Sequence, residues 1–161
     1  MPEILDRRGD SAALTAAGPA RARPVILGTL AVRVDPTAER VALESALEAG
    51  VALIVANMIT LPAYPTTLIL APQYATLPHE EDLEAVRATA HRAAALGIRT
   101  ELLRISTVRP VRALLELASE REAGLLVFGP DVRLTNRIRF WTAARKVRRG
   151  ANCLVWIAPD G

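Results

Sequence analysis

The stretch "VDPTAERVALESALEAGVALIVANMI", Val34 to Ile59, carries two different periods in succession. Asp35 followed by Pro36 reads as a helix start, because an aspartate oxygen caps free N–H groups and proline at the first helical position needs no donor. Ala42, Leu43, Ala46 and Leu47 then recur at helical spacing, and Gly50 stops the pattern. Val51 to Met58 follows as an almost wholly apolar run with no helical face, the signature of a strand buried on both sides. A helix feeding such a strand implies a parallel sheet covered by helices.

Working outward, "VILGTLAVRV" (Val25–Val34) reads as the first strand, apolar and β-branched at several positions. Beyond the second strand, "ITLPAYPTTLILAPQYATLP" (59–78) carries four prolines and little period, and reads as a long connection in which Thr66–Ala71 could pack or pair. His79–Leu96 has acids in its first turn, one apolar stripe and Gly97 as its stop, which predicts the second helix. Ile98–Ile105 reads as the third strand, Pro110–Gly124 as the third helix, Leu125–Gly129 as the fourth strand, about 137–149 as the fourth helix and Cys153–Ala158 as the fifth strand. The expected fold is α/β: an open parallel sheet of five strands with four helices on its two faces, in three layers. Ligands in such folds bind at the carboxyl ends of strands near the switch in strand order, so the turns after Val34 and Phe128 are the candidates.

With 161 residues, 51% of them hydrophobic, the chain can bury one core without a disulfide or metal. Residues 1–23 lack the apolar density of a signal sequence and are expected to form a mobile tail on a domain of residues 24–161. No apolar stretch approaches the roughly 20 residues needed to cross a bilayer, so membrane insertion is not expected. Cys153 is the single cysteine, which excludes an internal disulfide and fits a reducing cytoplasm.

The net charge of +3 conceals an asymmetry. Arg133, Arg137, Arg139, Arg145, Lys146, Arg148 and Arg149 place seven positive charges in 133–149 with no acid, leaving 13 bases against 17 acids elsewhere. On the predicted fourth helix, Phe140, Ala143, Ala144 and Val147 share one side, opposite Arg139, Arg145, Lys146 and Arg149. The preferred reading is a core face and a solvated face. The sharper reading is an anion-binding patch, with nucleic acid disfavoured because no aromatic platform or recognised DNA- or RNA-binding motif accompanies the arginines. Trp141 lies between the two faces. His79 and His91 are twelve residues apart, too far to share a metal on one turn, and Ser106 and Thr107 have no triad or nucleophile elbow around them. Neither a metal site nor an enzyme is expected.

Taken in order, "VDPTAERVALESALEAGVALIVANMI", "PVRALLELASEREAGLLVFG" and "GANCLVWIA" resemble the universal stress protein family over residues 24–158, with Cys153 where a cysteine is frequent. The resemblance implies an adenine-nucleotide-alpha-hydrolase-like sheet. In nucleotide-binding members the fourth strand leads into G-x-x-G, nine residues, then Gly and Ser or Thr, a loop that wraps ATP phosphates. Laid on this chain without gaps, Gly129 fills the first position, Val132 stands at the second, "RLTNRIRFW" supplies the nine residues, and Thr142 and Ala143 stand at the last two. If Val132 had to adopt the glycine's left-handed backbone, it would cost roughly 1–2 kcal/mol, more for a β-branched residue.

Asp35 corresponds most simply to the aspartate that ends the family's first strand and faces the nucleotide; a competing register puts Ala31 there. The capping role is preferred for Asp35. The resemblance therefore implies a binding or regulatory module that does not hold ATP in the family's usual way, with no cofactor expected. The first alternative is an adenine-nucleotide binder in which Gly129, Arg133, Arg137 and Thr142 replace the lost glycines. The second alternative is an anionic partner held through 133–149. An apolar "CLVWIA" near a sheet edge, together with the family's habit, implies a homodimer through 153–158 with Trp156 near the two-fold axis.

Overall fold

The computed structural model describes residues 22–61 and 79–159. Their elements in chain order are β1 (Val25–Thr29), α1 (Pro36–Ala49), β2 (Leu53–Thr60), α2 (Glu80–Ala95), β3 (Thr100–Thr107), α3 (Pro110–Glu120), β4 (Leu125–Phe128), α4 (Arg137–Gly150) and β5 (Leu154–Ile157). All strand pairs are parallel and the order across the sheet is β3-β2-β1-β4-β5. The chain thus moves outward from β1 to β3, crosses back and moves out the other way. The switch point lies between β1 and β4. Most of the tail and the segment Thr66–Ala71 lie outside the described residues.

Alternate residues of each central strand feed opposite cores, as a two-faced sheet requires. Ile26, Ile54, Ala56, Met58, Leu126 and Phe128 pack with Leu114, Leu117 and Ala118 of α3 and Phe140, Ala143, Ala144 and Val147 of α4. Val25, Leu27, Leu53, Val55 and Val127 face the other way, against Ala38, Ala42 and Ala46 of α1 and Val86, Ala90 and Ala93 of α2. The three alanines give α1 almost no side-chain thickness, so its backbone sits close to the sheet. Gly28 plays the matching role on the opposite face, where an added Cβ would lie 2.8 Å from a Leu114 methyl.

The strands shift from their sequence positions by one or two residues, except the first, which is half the expected length. After Thr29 the hydroxyl of that residue donates to the Val32 carbonyl at 2.6 Å, and Ala31 takes a left-handed backbone at φ 56°. The turn ends the strand although the sequence stays apolar to Val34. Val34 rejoins structure only through an isolated antiparallel bridge to Pro130. The third helix also ends early, at Glu120, with Glu122 in a left-handed turn at φ 50° before β4.

Between α1 and α2, Glu39 accepts from Arg92 Nε at 2.6 Å and from Thr89 Oγ1 at 2.8 Å. Burial raises the Glu39 pKa, but the hydrogen bonds from Arg92 and Thr89 outweigh it and hold the carboxyl below its ordinary 4.5. A folded pKa lower than the unfolded one contributes stability above the unfolded value, and that stability is lost as pH falls through the folded value. The urea midpoint of the native chain should therefore drop more steeply than that of Glu39→Gln between about pH 6 and about pH 3. Parallel midpoints across that range would show that the pair contributes nothing.

Candidate functional site

The turns that follow β1 and β4 meet at the switch point and tie to each other through their backbones. Asp35 N–H donates to the Gly129 carbonyl at 2.8 Å, and Asp131 N–H donates to the Arg33 carbonyl at 3.1 Å. Deeper in, Gly129 N–H reaches the Gly28 carbonyl at 2.9 Å. The buried side chain of Asn57, on β2, accepts from Ala31 N–H at 3.0 Å and so holds the left-handed turn after β1. That asparagine is the one polar residue in an apolar strand run, a signal the sequence reading passed over.

Asp35 is the N-cap of α1: one carboxylate oxygen accepts from Thr37 N–H at 2.8 Å and from Ala38 N–H at 3.3 Å. Its residue is 7% exposed, so little of the carboxylate faces open solvent. Ala31, the alternative occupant of that family position, stands two residues past β1 and carries only a methyl group.

Gly129 is required by packing. A Cβ there would lie 2.3 Å from the Ala38 Cβ, closer than two carbons can approach, so the fourth strand's exit and the first turn of α1 touch backbone to side chain. Its φ lies outside the left-handed region, so conformational freedom is not what selects glycine. Val132 is likewise not left-handed, since the positive-φ residues other than glycine are Ala31 and Glu122 among those described. The strain expected at Val132 is therefore absent: the loop has taken a course that valine accepts, and the residue packs partly buried against the α3/α4 core.

That course is set by Asp131, which the sequence reading passed over. Its side chain is 3% exposed and accepts from Arg133 N–H at 3.0 Å, Arg133 Nε at 3.1 Å and Arg133 Nη2 at 3.0 Å. The Asp131 carbonyl also accepts from Leu134 N–H at 3.0 Å and from Thr135 Oγ1 at 3.1 Å. The Arg133 side chain chiefly holds the Asp131 carboxyl below the usual carboxylate range, against the opposing effect of burial, and Arg33 adds to it. Arg33 in turn contacts buried Asp82 at 3.1 Å. Asp35, Asp82 and Asp131 thus stand against Arg33 and Arg133 in this corner.

Asn136 completes the loop by capping α4, its Oδ1 accepting from Ile138 N–H at 2.9 Å and from Arg139 N–H at 3.3 Å. The helix therefore starts at Arg137, five residues before Thr142. Thr142 and Ala143 sit in its second turn, where the backbone amides belong to the helix itself. Thr142 is exposed, whereas Ala143 is buried in the α3/α4 core, so the position that carries a hydroxyl in nucleotide-binding relatives points into apolar side chains. Arg137 is exposed on the first turn.

Elsewhere, a groove of 540 Å³ runs between α1 and α2, lined by Arg33, Arg40, Leu43, Leu47 and Arg92 among others. Among the described residues no group of three or more His, Cys, Asp or Glu could hold a metal ion. Burial pushes the Cys153 thiol up, away from thiolate reactivity. Ser106 is exposed, and the Thr107 hydroxyl accepts from Arg109 N–H at 3.1 Å, a local turn contact.

A five-stranded parallel sheet in the order 3-2-1-4-5, with paired loops at the switch point, defines an open, doubly wound α/β domain. The model of the universal stress protein family matches residues 23–159, and the chain belongs to that family. A universal stress protein solved in complex with cAMP is 25% identical with a TM-score of 0.57, covering 88% of this chain and 100% of that one. Two further structures share the fold. A family member from Burkholderia pseudomallei is 23% identical at TM-score 0.58, covering 88% and 99%; the Archaeoglobus fulgidus protein in complex with dAMP is 24% identical at TM-score 0.54, covering 84% and 96%. No match was found among curated proteins.

Gly129→Ala should destabilise the fold by about 1–3 kcal/mol through overpacking against Ala38, measured by urea denaturation with no ligand present. Asp35→Ala should cost about 1 kcal/mol, whereas Asp35→Asn, which still caps, should cost much less. An Asp35→Asn variant as unstable as Asp35→Ala would show that the negative charge, not the cap, is what the site uses.

Proposed function

We propose that this universal stress protein domain acts as a binding or regulatory module without enzymatic activity, and that it does not hold ATP in the way the family's nucleotide-binding members do. The observation that carries this reading is the early start of α4 at Arg137 under the Asn136 cap. Phosphate loops work by leaving backbone amides free to converge on an anion. Here the amides of Asp131, Arg133, Leu134, Ile138, Arg139 and Phe140 already donate within the protein. The Asp131 carboxylate takes one of them, and an ionised carboxylate within this loop disfavours a second anion beside it. The two matching residues that survive, Asp35 and Gly129, each have a structural duty that needs no ligand.

The alternative, an adenine-nucleotide binder with a variant loop, is favoured by the 25% identical relative in complex with cAMP. On that reading Arg133 would have to leave Asp131 to reach a phosphate. The cytoplasm is the compartment we infer from the single cysteine. A homodimer through β5 is supported by its place at the sheet edge and by Leu154, which is 75% exposed there. Sedimentation at micromolar concentration should show twice the 17.3 kDa chain mass.

Purified protein should release no adenine nucleotide on heat denaturation, and millimolar ATP, AMP or cAMP should leave its Tm unchanged. A ligand at 100 times its Kd would add about 2.7 kcal/mol and raise Tm by several degrees. Such a rise, abolished by Arg133→Gln, would establish the nucleotide reading instead.

A further inference from the structure

Three large apolar side chains stand in water where α4 begins: Leu134 is 48% exposed, Ile138 78% and Trp141 53%. Ile138 and Trp141 are three residues apart and share a helical face, with Leu134 in the turn just before it. The Trp141 ring is held edge-on against buried Phe140, centroids 5.3 Å apart at 83°. Trp141 still leaves half its surface in water. Scattered single apolar residues are ordinary on a surface; three exposed large ones within eight residues of chain are less so.

The cluster is set in cations. Arg145 and Arg149 continue the Ile138 stripe along α4, Arg137 flanks Trp141, and Arg139 and Lys146 lie on the other side. These five side chains form no ion pair among the described residues. No acidic residue occurs between Asp131 and Asp160. We propose that this corner of the molecule docks on an anionic lipid surface, Leu134, Ile138 and Trp141 entering the boundary between headgroups and acyl chains while Arg137, Arg139, Arg145, Lys146 and Arg149 meet lipid phosphates.

Shape and charge select this occupant. Leu134 and Ile138 have nothing to offer a nucleic-acid backbone, whose affinity comes from phosphate contacts. A peptide partner is usually seized by a hollow that takes its anchor side chain. Neither the groove between α1 and α2 nor the smaller one at the start of α3 includes any of the three residues. The patch lies outside both grooves, and a bilayer takes up exposed apolar side chains without needing a matching shape. Tryptophan suits that depth, its ring apolar and its N–H able to reach water. Guanidinium groups match phosphate oxygens bidentately. Outside 133–149 acids outnumber bases by 17 to 13, so an anionic bilayer attracts this corner and repels much of the rest. The contact is peripheral, since no helix among the described residues is long and apolar enough to cross a membrane. It does not depend on whether a nucleotide binds.

The test is co-sedimentation of the full chain with vesicles of phosphatidylcholine alone and of phosphatidylcholine with equimolar phosphatidylglycerol. The expected result is partition onto the anionic vesicles only, weakening as salt rises. Arg145→Gln and Arg149→Gln should each lower it about fivefold, and Ile138→Ser with Trp141→Ser should abolish it while far-ultraviolet circular dichroism stays native. In a Trp156→Phe background, Trp141 fluorescence should shift to the blue on binding. Absence of partition at low salt, or partition that survives the Ile138→Ser, Trp141→Ser double substitution, would overturn the proposal. So would tighter retention on polyglutamate or on RNA than on the vesicles, which would give the patch to an acidic protein or a nucleic acid.

Discussion

The buried carboxylate of Asp131 governs the geometry at the carboxyl edge of the sheet. A charge removed from water must be met by donors, and this one is met by the amide and guanidinium of Arg133, two residues on. Satisfying it curls the chain after β4 into a compact turn, and the same residue's N–H and the Asp35 N–H strap that turn to the loop after β1. Once the turn is closed, Asn136 falls where it can cap, and α4 starts there. The course of the loop, the length of the helix and the absence of backbone strain at Val132 descend from a single ionised group and its partner. Because Asp131 is buried, removing the Arg133 side chain alone leaves its carboxylate with the residue-133 amide and the more distant Arg33, a costlier change than removing both partners.

Around that corner the sheet imposes a second constraint, closeness. Alanines at 38, 42 and 46 let α1 settle onto Val25, Leu27 and Val127, and Gly28 lets Leu114 of α3 press against the other face of β1. β1 is therefore packed closely on both faces, by an alanine-lined helix on one and through its own glycine on the other, and dispersion contacts accumulate where atoms are nearest. The outer strands differ: β3 alternates between half-buried and exposed residues, and β5 leaves Leu154 in water. Burial is complete in the central strand and falls toward the rims.

Much of this was legible from residues alone, and the reasons are physical. Central parallel strands must be apolar on both faces, so Val51–Met58 and Leu125–Phe128 announce themselves. The start and stop of α1 are written in Asp35, Pro36 and Gly50, whose backbone sits at φ 63°. The sequence overstates the first strand because Leu30 and Val34 are apolar for another reason, the packing of a loop. Nothing in their identity reveals that the Thr29 hydroxyl has already turned the chain. The site was less legible. Asp35 states its capping role locally, whereas Asn57 and Asp131 acquire theirs from groups that only folding brings within reach. The strain assigned to Val132 assumed the family's backbone; a loop with an internal carboxylate to satisfy takes a different path.

Gly129 shows that a residue matching a motif can have a packing reason of its own. It matches the opening of a phosphate loop, yet its neighbour within 2.3 Å of the missing Cβ is Ala38, a methyl group on a helix. A survey that scored such loops by counting glycines would credit it to a ligand. The docking of β4's exit onto α1 already demands a residue without a Cβ there, whatever the loop binds.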